Sequence, residues 1–248
     1  MKSKGSFKKV MLQKCGSLFW GFLGGILGGV LYPLIFDMIT LHQARETYSE
    51  LSVDKTQFRQ GIGSLRWEIA IQPKRRYLFS NTEIIGALMH FEVIGNKRGK
   101  VQGLNFHNIK GIKFYGKASQ ERFHISEVNL FIGNNSIQYI FSKQNGLIVD
   151  TKWQEYFIPL AAFNLAPWLR NSNMQNKAIP DISNVTAFGF DLKTTKKPIN
   201  AKIWIDYIRL IDNDGKEILF SDADKKDFFF QNKHIKWISD WREYPQFK

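Results

Sequence analysis

Ser17 to Phe36 reads SLFWGFLGGILGGVLYPLIF, twenty residues without a charge. That is the length a helix needs to cross the hydrocarbon core of a bilayer. Lys2, Lys4, Lys8, Lys9 and Lys14 precede it, with no acid among them. Lysine-rich flanks stay in the cytoplasm, so the long carboxy-terminal part is expected outside it, in the periplasm if the cell is bacterial. Trp20 and Tyr32 lie near the two ends, where amphipathic rings prefer the interface. The rival reading is a cleaved signal peptide, but the run exceeds a usual signal core and no A-x-A-like site follows. The expectation is a basic cytoplasmic segment over 1–16 and a retained single-pass anchor over 17–36.

Glycine spacing adds a second property to this segment. Gly21, Gly25 and Gly29 are four apart, as are Gly24 and Gly28. Residues four apart share a helix face. Two adjacent small-residue grooves let another helix backbone approach closely, so a second copy or another membrane subunit is expected to pack there. Pro33 lies near the outer end, where a kink costs least. The one cysteine, Cys15, precedes the apolar run; it permits lipidation and rules out a disulfide within the chain.

Residues 37–57 read as a polar connector, with Glu46, Tyr48, Glu50 and Leu51 able to form a short helix. Beyond Phe58 the pattern changes to short apolar runs broken by Gly, Asn, Lys and Pro, which argues strands. Candidate strands are Leu65–Ile71, Ile84–Val93, Gly111–Lys117, Ile125–Ile132, Ile137–Phe141, Trp153–Leu160, Val185–Leu192, Lys202–Ile211 and Glu217–Phe220. Gly133-Asn134-Asn135 and Asn213-Asp214-Gly215 supply tight turns. The expected fold is all-β, a jelly-roll sandwich over 58–222, preceded by the one transmembrane helix and followed by an aromatic-rich tail over 223–248.

Trp153-Gln-Glu-Tyr156-Phe-Ile158-Pro159-Leu160-Ala-Ala-Phe163 resembles the W-x-x-Y-x-I-P-L-x-x-F strand of galactose-binding-like sandwiches. Carbohydrate-binding modules of the family 11 type share it, as does the complex I intermediate-associated protein family. Val185-Thr-Ala-Phe-Gly-Phe190 and Ile203-Trp-Ile-Asp206-Tyr-Ile208-Arg-Leu210 look like the final paired strands of these families, and Gly111–Lys117 like an early core strand. The resemblance spans roughly residues 65–220 and is one of fold. It implies either an assembly role in a membrane complex or glycan binding. These modules often hold a structural calcium, but the second of their paired acids is replaced here, giving Asp206-Tyr207; no specific calcium motif remains.

No catalytic constellation stands out. His42, His90, His107, His124 and His234 are widely separated, without metal-ligand spacing. No nucleophile elbow or phosphate loop is present. The expectation is a protein that is not an enzyme and carries no cofactor. The formal charge of +13 favours an anionic lipid surface or other anionic partner, while no nucleic-acid motif occurs. Basic pairs and triplets at 74–76, 97–100 and 196–197 contribute to it. For a bound sugar, exposed rings would stack, and Tyr115, Tyr139, Trp168 and Trp204 are the candidates by position. In the tail, Trp237, Trp241 and Tyr244 recur at helical intervals; such a stripe usually packs on its own domain, and docking a partner or a membrane surface is the alternative. Two roles lead, an accessory subunit of a membrane complex or a membrane-anchored carbohydrate-binding module, with a glycan-processing enzyme ranked below them.

Overall fold

Phe, Tyr and Trp make up 15% of the chain, and the strands they favour dominate its structure. The computed structural model describes residues 47–71, 84–95, 101–133, 137–141, 146–169, 182–194 and 198–244. The apolar run, its five glycines and the basic stretches at 74–76, 97–100 and 196–197 lie outside the described residues. Among the described residues no helix is long and apolar enough to cross a membrane.

Fifteen strands are described: β1 (Tyr48–Asp54), β2 (Ser64–Ile71), β3 (Ile84–Val93), β4 (Ile109–Ala118), β5 (Phe123–Ile125), β6 (Glu127–Ile132), β7 (Ile137–Phe141), β8 (Leu147–Val149), β9 (Gln154–Pro159), β10 (Phe163–Leu165), β11 (Val185–Thr194), β12 (Ile199–Asp212), β13 (Glu217–Ser221), β14 (Asp227–Phe230) and β15 (Lys233–Tyr244). They form two antiparallel sheets. Sheet A runs β1-β2-β12-β4-β9, with β13 also on β12; sheet B runs β10-β7-β6-β11-β3-β15-β14. β5 and β8 pair separately.

Alternation explains the layering. In β4, Ile112, Phe114 and Ala118 are buried while Lys113, Tyr115 and Lys117 are not. In β11, Phe188, Phe190 and Leu192 face the core. Phe114 meets Phe190 edge-on at 5.4 Å, and Phe91 meets Trp237 edge-on at 5.5 Å. Such geometries are favoured by the ring quadrupoles, and the first of these pairs joins the two sheets. Within the resemblance stretch, Tyr156 stacks on Phe114 at 5.5 Å, Ile158 is buried, and Phe163 packs on Phe188.

Two segments expected outside the sandwich belong to it. The supposed connector contains β1, which pairs with β2 through its whole length. Trp67 Nε1 donates to Ser49 Oγ at 2.9 Å, and Ser239 Oγ donates to the Ser49 carbonyl at 3.2 Å. The supposed tail supplies β14 and β15, and β15 lies between β3 and β14 as an interior strand. Trp237 is buried at 1% exposure, which keeps it from a partner, and half-buried Trp241 packs against the core. A spacing of four keeps two residues on one face of a strand as well as of a helix, because four is even. Tyr244 closes β15, and its side chain lies outside the described part.

Candidate functional site

Three neighbouring strands of sheet B put mostly polar or small residues on every second position, with Leu88 and Phe131 as the exceptions. β3 carries Leu88, His90 and Glu92; β11 carries Ala187, Gly189, Asp191 and Lys193; β6 carries Glu127, Asn129 and Phe131. Their neighbours along the chain are core residues such as Phe91, Phe188, Phe190 and Leu130. Register then assembles the face. Gly189 sits between His90 and Asn129, Asp191 between Leu88 and Glu127, and Ala187 between Glu92 and Phe131. Gln138 of β7 extends the last row.

The result is a cleft of about 200 Å³ on the outer face of sheet B. That is below the roughly 300–1,000 Å³ of drug-sized sites, so it takes one small unit of a ligand. Glycine is required at its floor: a methyl at 189 would collide with the Met89 carbonyl and the His90 Cβ. Two close polar contacts line the cleft, one between β11 and β6 and one along β3. Lys193 Nζ meets Glu127 Oε1 at 2.6 Å, and His90 Nε2 meets Glu92 Oε1 at 2.7 Å. Three buried polar atoms in its lining have no hydrogen-bond partner: His90 Nδ1, Asn129 Oδ1 and Glu127 Oε2. Leaving such an atom unsatisfied costs about 1–3 kcal/mol, so three in one place mark a site suited to a ligand.

Sheet A has a different outer face. The loop after β1 folds over it, and Asp206 Oδ2 accepts from the Arg59 and Gln60 amides at 2.6 and 2.8 Å. Asp206 is fully buried, and burial pushes its carboxyl up despite the Gln60, Arg59 and Tyr207 amides. Asp54 behaves oppositely. Burial raises it, but hydrogen bonds from the Thr56 hydroxyl, the Trp204 indole and the Thr56 and Gln57 amides together hold it at about 2. Arg209 donates to Glu217 at 2.7 Å and to Glu155 at 2.8 Å, and Lys113 meets the same two acids at 2.8 and 3.0 Å. Hydrogen bonds from Lys113 and then Arg209 hold Glu217 below the usual carboxylate range.

These contacts decide the fate of the expected sugar platforms. Tyr139 is 1% exposed; it opposes Leu130 in the core, while Gln138 beside it takes the cleft side. It cannot stack on a ligand. Trp204 is 9% exposed, gives its Nε1 to Asp54 Oδ2 at 2.9 Å, and has the Lys117 ammonium 4.8 Å from its ring. Tyr115 is half-buried between the guanidinium groups of Arg59 and Arg209, at 5.7 and 5.1 Å. Trp168 lies in the 3₁₀ turn Pro167–Leu169, with its side chain outside the described part. Tyr115 and Trp204 thus share the covered face of sheet A, while the cleft is built from residues the sequence did not single out. The alternation in Ala187-Phe-Gly-Phe-Asp-Leu-Lys193 was its only local signal.

Among the described residues no three His, Cys, Asp or Glu side chains gather to hold a metal ion. Asp206 serves the loop amides.

No protein-family model matches the chain, and no curated protein does. Solved structures similar to it include carbohydrate-binding modules. One is the family 11 module of the cellulosomal cellulase Lic26A-Cel5E of Clostridium thermocellum, at 12% identity and TM-score 0.46, covering 67% of this chain and 82% of that one. Another is a family 11 module from Clostridium thermocellum in complex with a β-1,3-1,4-mixed-linked tetrasaccharide, at 12% identity and TM-score 0.46, covering 67% and 84%. A third is the family 30 module of the cellulosomal cellulase Cel9D-Cel44B of Clostridium thermocellum, at 16% identity and TM-score 0.43, covering 68% and 87%.

Proposed function

We propose that this chain is a non-catalytic, membrane-tethered glycan-binding protein that takes a saccharide unit in the sheet B cleft. The observation that carries this reading is the grouping of unpartnered His90 Nδ1, Asn129 Oδ1 and Glu127 Oε2 around a glycine floor. Half-buried Phe131 adds an apolar wall, and Asn129 and Gln138 add amides that read hydroxyls. Binding is favoured over cleavage because Glu127 and Glu92 are each tied to a basic partner. A glycosidase needs one acid in an apolar pocket and a second carboxylate poised across the bond. The tether rests on the uncharged run 17–36 and the lysines before it, which favour a sandwich outside the cytoplasm.

Calorimetric titration of the full chain with neutral and amino-bearing oligosaccharides tests the reading. Saturable binding is expected, weakened about tenfold or more by Asn129→Ala and by His90→Gln with an unchanged unfolding midpoint. Absence of binding to every saccharide class would refute it.

A second reading, an accessory subunit of a membrane complex, is favoured by one surface. Phe157 and Leu219, 47% and 46% exposed, flank Lys113 and Arg209 in a single cross-strand row of sheet A. Apolar side chains beside a charge network suit a protein partner. Loss of co-purifying membrane proteins on Phe157→Ser with Leu219→Ser, and on Gly25→Leu with Gly29→Leu, would support it.

A further inference from the structure

The cleft holds more acceptors than donors. Three carboxylates line it, Glu92, Glu127 and Asp191, against one ammonium, Lys193. With His90 neutral the lining carries a formal −2, in a chain that carries +13. The ammonium is already engaged by Glu127 Oε1 at 2.6 Å. When His90 Nε2 donates to Glu92, Nδ1 is left as a bare lone pair. Asn129 Oδ1 and Glu127 Oε2 are acceptors too. His90 and Asn129 are each 5% exposed. His90 Nδ1, Asn129 Oδ1 and Glu127 Oε2 are thus all acceptors left without a donor.

We propose that the saccharide unit is an amino sugar with a free ammonium group. This narrows the glycan-binding reading and rests on it. An ammonium brings three donors and a charge that faces the carboxylates. The neighbouring hydroxyls donate to Asn129 Oδ1 and His90 Nδ1. Acetylation would leave one neutral N–H and add bulk to a cleft of only about 200 Å³. A sulfated or carboxylated sugar would meet like charge at Glu92, Glu127 and Asp191.

The test is titration of the full chain with β-1,4-linked glucosamine oligomers, their N-acetylated counterparts, glucose oligomers of the same length, and a lysine-rich peptide. The glucosamine oligomer is expected to bind at least about tenfold tighter than either neutral sugar. That advantage should shrink in Glu127→Gln, in Asp191→Asn, and at high salt. Equal or tighter binding of a neutral oligomer, with both variants unaffected, overturns the amino-sugar inference and leaves glycan binding standing. No binding of any saccharide, or tighter binding of the peptide, overturns both.

Discussion

Asp54 and Asp206 both serve the loop over sheet A, yet they respond to pH in opposite directions. Asp54 is held at about 2 by its hydrogen bonds, below its ordinary value of 3.8. A depressed carboxyl stabilises the fold above the ordinary value and loses that contribution as pH falls toward 2. The loss is on the order of 1–2 kcal/mol. Trp204→Phe removes one of those donors and should move the acid-unfolding midpoint up, readable by circular dichroism. Asp206 is raised by burial, so its folded form holds a proton more tightly than the unfolded chain. Its stabilising contribution is present when protonated and declines as pH rises above the usual carboxyl range. Asp206→Asn keeps an acceptor for the Arg59 and Gln60 amides and should flatten that decline in urea titrations. An identical pH slope in the variant would contradict the assignment. Gly189→Ala should cost about 1–3 kcal/mol, because its methyl meets backbone that cannot give way.

Strands marked by an apolar run or by alternation between turn residues were legible in the order of their residues. Ile84–Val93, Ile137–Phe141 and the hairpin through Asn213-Asp214-Gly215 stand where the residues placed them, with Gly215 at φ 87° in the turn. β1 was not legible, because Leu51 and Asp54 are its only buried residues and an edge strand buries little. β14 hides its alternation in three identical residues: Phe228 and Phe230 pack on Phe220 at 5.1 and 5.0 Å, while Phe229 points to solvent. β15 was masked by the four-residue tryptophan spacing. Its interior position predicts that truncation after Asp222 abolishes cooperative unfolding, since Trp237 and the whole of β3's outer pairing are lost. A truncated chain that melts cooperatively near the full-length midpoint would show that β15 is dispensable.

At the scale of the molecule, the cleft escaped the sequence because it exists only through register. His90, Asn129 and Gly189 belong to strands far apart in the chain and meet in one cross-strand row. Aromatic residues were the visible candidates, and the fold sent Tyr139 to the core and Trp204 beneath a loop. The proposed tether makes its own prediction. Protease added to intact cells, or to opened periplasm, should digest the sandwich, while inside-out vesicles should protect it.

Amide chemical-shift mapping of the full chain during titration with glucosamine oligomers tests the cleft most directly. Glycan binding there predicts saturable shifts at His90, Asn129 and Gly189, with Tyr115 and Trp204 unmoved. Shifts confined to Tyr115, Trp204 and the loop before Ser64, or none in sheet B, would contradict it.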